Sequence, residues 1–206
     1  MRRQLLSALR LTAVTLILTG VAYPFAVTGL AQALFPSRAN GSLVSNDKGT
    51  VVGSALIGQL FVQPGYLQGR PSAAGAGYDA TASSGSNLGP TSNKLRDRAS
   101  ADVTRLRAAN PAASPTVPAE LVTASASGLD PHVSVQAALW QVPRIAHARE
   151  VSAERVREVV TARIEGRDLG VFGEPRVNVL RVNLALDQRF GRPASLGDSA
   201  PRNASP

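Results

Sequence analysis

The stretch from Leu11 to Ser37, LTAVTLILTGVAYPFAVTGLAQALFPS, contains no charged residue, and no other feature of the chain restricts its fold so strongly. A bilayer core takes about 20 apolar residues in helix, so the stretch is long enough to span one. A cleaved signal peptide is the rival reading, because Arg2, Arg3 and Arg10 resemble a basic n-region and Ala31-Gln32-Ala33 resembles a cleavage site. A signal h-region runs only about 7 to 15 residues, and this run is longer. The expectation is an uncleaved transmembrane helix over 11–35. The three arginines precede the span and the first cation after it is Arg38. The positive-inside rule therefore makes 1–10 a cytoplasmic N-terminus and puts the rest of the chain outside. Gly20, Pro24 and Gly29 would weaken a soluble helix, but a membrane tolerates them where neighbouring helices satisfy the freed carbonyls. They point to packing against other membrane helices.

Beyond the span, roughly 165 residues remain, enough for one domain with a real core. The chain has no cysteine, which excludes disulfides, thiolate metal sites and cysteine nucleophiles. A net charge of +8 would ordinarily raise nucleic acid as a partner. Here only Lys48 and Lys94 are lysines and the arginines are dispersed along the chain, so a solvated basic surface is expected and no nucleic acid.

VSNDKGTVV followed by GSALIGQLF, Gly53 to Phe61, reads as two short strands joined at a polar turn around Asn46 to Gly49. Gln68 to Pro90 is rich in Gly, Ser and Ala and by composition resembles a flexible linker. Leu95, Ala99, Val103 and Leu106 follow helical spacing over Asn93 to Ala109, with Asn110-Pro111 as the stop. A second helix is expected through Val135, Ala138, Leu139, Val142 and Ile145, starting at Asp130-Pro131 or Ser134. Pro143 should kink or restart it. Ser152 can cap a third, with Val156, Val159, Val160 and Ile164 on one face. Leu180, Val182, Leu184 and Leu186 alternate with Arg181, Asn183 and Ala185, the pattern of a half-buried strand. From 188 to 206 apolar periodicity is lost, and a disordered tail is expected. The fold class is thus a single N-terminal transmembrane helix followed by one α+β extracytoplasmic domain over 36–187.

No complete reactive constellation emerges from the sequence. Ser84-Gly85-Ser86 does not match the nucleophile turn G-x-S-x-G, and a hydrolase built on either serine lacks a paired base. His132 and His147 stand apart from any nucleophile, and no His, Asp or Glu cluster has metal-ligand spacing. The phosphate loop G-x-x-x-x-G-K-[ST] is absent. No catalytic residue and no metal is expected.

Several long strings resemble the C subunit of the Kdp potassium-transporting P-type ATPase. They run in order: Tyr23-Pro24 in the anchor, NGSL at Asn40, GSALIGQ at Gly53, GRPSA at Gly69 and SGSNLGP at Ser84. LVTASASGLDP at Leu121, QAALWQVPRIAHAR at Gln136 and GEPRVNVLRVNLALD at Gly173 complete the set. The resemblance covers about residue 10 to residue 187. It implies a bacterial inner-membrane subunit without chemistry of its own, working beside a channel-like potassium-binding subunit and an ATP-hydrolysing subunit in high-affinity potassium import. It also implies that the Gly/Ser stretch from Arg70 to Pro90 is ordered. No cofactor of its own is implied, ATP entering only through the pump subunit. That subunit's ATP affinity would be raised through the segment containing Gln136, Gln141 and Arg144, whereas the charge asymmetry of the span puts those residues on the opposite side from ATP. Tyr78, Trp140 and Arg144 are the interaction candidates, since aromatic and arginine side chains dominate binding hot spots. A membrane-anchored periplasmic module that captures a small ligand in a cleft is the alternative.

Overall fold

The structure, a computed structural model, describes residues 1–193 in two compact units that divide after Leu43. The first unit is dominated by one helical rod, Arg2–Leu34, of 33 residues, long and apolar enough to cross a membrane. It comprises α1 (Arg2–Ile17), a π-helical turn (Leu18–Ala22) and α2 (Tyr23–Leu34), with a short α3 (Pro36–Ala39) following. Helix already holds from Arg2, ahead of the expected start at 11, because Arg2 to Arg10 contains no Gly or Pro to break it. Pro24 has no N–H to give the carbonyl four residues back. Just before it the chain switches register, and the Tyr23 amide reaches the Leu18 carbonyl. The helix ends at Phe35, whose backbone, φ −138 and ψ 55, has left the helical region ahead of Pro36.

The second unit opens with the hairpin of β1 (Leu43–Ser45) and β2 (Val51–Ser54) around the expected polar turn. Asn46 closes that turn, its side chain accepting from the Lys48 and Thr50 amides at 3.0 Å each. The second strand was expected to run to Phe61 but stops at Ser54, whose hydroxyl accepts from the Leu56 amide at 3.1 Å and turns the chain away. α4 (Asn93–Ala109) has the expected bounds, capped by Ser92. A 3-10 turn (Ala119–Leu121) follows.

The core is a three-stranded antiparallel sheet, order β3-β5-β4, backed by helices. β3 (His132–Ser134) runs directly into α5 (Val135–Trp140), and Ser134 serves as strand end and N-cap at once. α6 (Val142–Ala148) restarts the helix at the Gln141 junction that Pro143 requires. α7 (Ala153–Thr161) is capped by Ser152, as expected, and buries Val156, Val159 and Val160. β4 (Ile164–Glu165) pairs with β5 (Arg176–Asn178), which again runs straight into a helix, α8 (Val179–Phe190), capped by Asn178. Val133 lies opposite Val177 and Ile164 opposite Val177, forming the apolar layer on which the helices pack.

The strand expected over Leu180 to Leu186 is instead most of α8. The alternation was ambiguous because both sets go inside: Leu180, Val182 and Leu186 are buried, and so are Asn183 and Ala185. The even positions are mostly leucines, good helix formers, and the Asn178 cap sets the register. Residues 188–190, read as tail, complete this helix. The tail from 194 lies outside the described residues.

Candidate functional site

Between α4's start and the hairpin lie two long loops, 55–92, whose path is fixed by side chains from the helices. Gln141, at the α5–α6 junction, pairs with the Gln68 backbone as a strand would: its Oε1 accepts from the Gln68 amide (2.9 Å) and its Nε2 donates to the Gln68 carbonyl (3.0 Å). Asn183 on α8 does the same for Leu67, accepting from the amide at 2.7 Å and donating to the carbonyl at 2.9 Å. Leu67 itself is fully buried in the core. Arg144 donates to the carbonyls of Pro64 and Tyr66 and to Gln141 Oε1 (2.7 Å). Its guanidinium is thus surrounded by neutral oxygens, and burial, with Arg105 nearby, lowers its pKa to about 10. Arg149 closes the strap, donating to the Gly65 carbonyl (2.6 Å) and pairing with Asp187 at 2.8 Å. Asp187 also accepts from the Tyr66 hydroxyl at 2.9 Å, and burial together with that bond raises the Tyr66 pKa.

The Gly/Ser stretch, a linker by composition, is cross-braced to residues 123–130. Arg70 pairs with Asp130 at 3.2 Å and reaches the carbonyls of Thr123 and Ala124. Ser72 donates to the Gly128 carbonyl at 2.6 Å and accepts from the Tyr78 amide at 2.8 Å. The Ser84 amide donates to the Ser127 carbonyl, the Ser125 amide to Pro71 and the Gly58 amide to Leu129. Such approaches leave no room for side chains. A Cβ on Gly58 would stand 2.5 Å from the Asp130 carbonyl oxygen, and one on Gly128, where φ is +67, 2.7 Å from backbone atoms of Ala74 and Ser84. Tyr78 turns the loop with φ +58 and donates its hydroxyl to the Arg70 carbonyl at 2.6 Å. Burial, and then the Asp130 charge, push its phenol up to about 12.

The residues singled out from sequence therefore divide. Gln141 and Arg144 meet each other, but they are 1% and 7% exposed with their polar groups committed to the strap. Gln136 lies apart from them, exposed on α5, beside a cleft of about 380 Å³ lined also by Ser114, Leu139, Trp140, Pro143 and Arg157. Trp140 is buried with its indole N–H on the Ser114 carbonyl at 2.9 Å. Tyr78 borders a separate cavity of about 350 Å³ with Leu60, Gln68, Asp102, Arg105 and Leu121. His132 stands 3.4 Å from Glu165 on the sheet, Ser84 donates to its neighbour Gly85, and His147 is exposed. Among the described residues no three His, Asp or Glu side chains converge on a metal position.

Sequence reasoning missed Asn183, Arg149 and Asp187 as holders of the strap. Their signal was a polar residue within or at the end of an apolar helical face, and it was hidden at Asn183 by the strand reading. It also missed the apolar edge of the loop frame, where Leu56, Ile57, Leu60 and Val62 are all exposed.

The pattern of KdpC, described as K+-transporting ATPase, c chain, matches residues 5–188. The potassium-transporting ATPase KdpC subunit of Myxococcus xanthus is 65% identical over 196 residues, covering 95% of this chain and 92% of that one. Its counterpart in Rhodospirillum rubrum is 55% identical over 190 residues, covering 92% and 98%. That of Methylobacterium nodulans is 56% identical over 188 residues, covering 85% and 92%.

Proposed function

The chain belongs to the KdpC family, the c chains of K+-transporting ATPases, and from that premise we propose that it is a non-catalytic subunit acting through assembly. In this reading its helical rod anchors it in the cell membrane with the N-terminus cytoplasmic. Its α+β domain then works outside, beside the channel-like potassium-binding subunit and the ATP-hydrolysing subunit. The observation that carries the reading is the exposure of Leu56, Ile57, Leu60 and Val62 on loops cross-braced by internal hydrogen bonds. An apolar edge held rigid binds at low entropic cost. The committed polar groups of Gln141 and Arg144 favour an effect on ATP affinity that passes through the pump subunit, with no nucleotide contact at these residues.

The test sets the double variant Leu56→Asp, Leu60→Asp against Gln136→Ala, His132→Ala, His147→Ala and Ser86→Ala. Partner co-purification and growth at limiting potassium are measured for each. The acidic pair should lose both while the full chain keeps its thermal transition, and the alanine variants should keep both. Loss of growth with an intact complex in a histidine or serine variant would overturn the reading. The cavity beside Tyr78 supports the alternative of a ligand-capturing module. That alternative predicts a detergent-solubilised chain that is stable and monodisperse alone, and growth loss in Arg105→Ala with assembly unchanged.

A further inference from the structure

Between β4 and β5 the chain throws out a finger, Arg167 to Gly173, whose tip breaks the rule that turns are polar. Leu169 is 90% exposed, Val171 70% and Phe172 65%. Leu169 and Gly170 both have positive φ, +53 and +76. Glycine adopts that conformation freely and asparagine commonly, whereas for a bulky apolar side chain it is an outlier. A leucine held there and pointed at water gains nothing for the fold, which marks the tip as built for another environment.

Three features indicate which environment. Four backbone amides of the tip are met within it. The Asp168 amide donates to the Phe172 carbonyl at 2.8 Å, and the Phe172, Val171 and Gly170 amides donate back to Asp168 and Arg167 at 2.9, 3.2 and 3.1 Å. The charges at its base are paired locally, Arg167 with Glu174 at 2.8 Å and Arg176 with Asp168 at 3.2 Å. Those amides and charges would add little polar cost on entry into the interfacial layer, where headgroups and water meet the remaining carbonyls. Finally, the chain carries its own helix of membrane-crossing length, Arg2–Leu34, so a bilayer surface is present at high effective concentration.

We propose that the finger at Leu169, Val171 and Phe172 inserts into the interfacial layer of the bilayer as a second membrane contact of the domain. Phospholipid is the ligand, and the insertion requires neither a given orientation of the anchor nor the partner subunits. The absence of native cysteine makes the test direct. Phe172→Cys and, as a control on α4, Arg96→Cys are labelled with an environment-sensitive nitrobenzoxadiazole probe. Each full chain is reconstituted alone into vesicles of phosphatidylcholine and phosphatidylglycerol.

The label at 172 should shift to the blue and lose intensity to lipids spin-labelled high on the acyl chain, while the label at 96 does neither. Adding Leu169→Asn, which suits the turn and so spares the fold, should reduce the quenching at 172. A solvent-like, unquenched label at 172 overturns the proposal. So does protection that arises only with the partner subunits, or that disappears when the protein is diluted in lipid, since these mean protein docking or self-association.

Discussion

A primary amide can donate to and accept from the same peptide group, and Asn183 and Gln141 use that property to hold Leu67 and Gln68 without a strand. Asn183→Ala leaves a buried amide and a buried carbonyl unmet and should destabilise the domain by about 2 to 4 kcal/mol. Urea denaturation of the detergent-solubilised chain measures it. Nothing in the sequence marks these amides as clamps, because their partners lie far away along the chain and are backbone groups that any residue carries. The close glycines are similarly silent in sequence, although the strings around Gly58 and Gly128 are where the resemblance lies. Tyr78 adds a pH dependence. Burial holds its phenol neutral up to about 12, against the ordinary 10, so its contribution is complete below pH 10 and lost as pH rises from 10 to about 12. Tyr78→Phe should remove its share of the fall of the melting temperature over that window, leaving the falling slope from Tyr66, whose pKa is also raised, and an opposing rise from Arg144, whose pKa is lowered to about 10.

Elements whose signals are local were legible. Ser134 and Ser152 each cap the helix that follows, Asn110-Pro111 ends α4, and Pro143 divides α5 from α6. The failures arise where two periods fit the same residues or where tertiary contacts decide. α8 buries residues of both alternating sets, and its helical state depends on the Asn178 cap and on the strap across Asn183. The Gly/Ser stretch is tied down by residues roughly 50 positions away, which composition cannot reveal. The caps can be ranked. Ser152→Ala should cost about 1 kcal/mol, the usual value for losing one N-terminal bond. Asn178→Ala should cost about 2 to 3 kcal/mol, because Asn178 Nδ2 also meets the Ala55 carbonyl at 2.8 Å in a buried position. Parallel thermal melts of the two variants decide the order.

For the whole molecule, two expectations attach to the rod: its orientation and its packing against other helices. The charge asymmetry around the span predicts a domain outside, and on that expectation Arg96→Cys on the exposed face of α4 should react with an impermeant thiol reagent in intact cells. Labelling only after lysis would reverse the orientation. The rod itself is not a uniform apolar cylinder. Its π-helical turn at Leu18–Ala22 lies directly before Pro24, and a Cβ at Gly29 would meet nothing within 4 Å. A π turn displaces side chains relative to a straight helix and leaves carbonyls for neighbours to satisfy, and small residues let another helix come close. A passive tether needs neither. Replacing Leu11 to Phe35 with an unrelated apolar helix of equal length, without Gly or Pro, should leave the domain's thermal transition unchanged and reduce co-purification of the membrane partners. Restoring Gly20 and Pro24 within the substitute span should recover part of the loss. Undiminished co-purification with the unrelated span would show that the specificity of assembly resides in the domain alone, with its apolar edge at Leu56 to Val62 as the remaining contact.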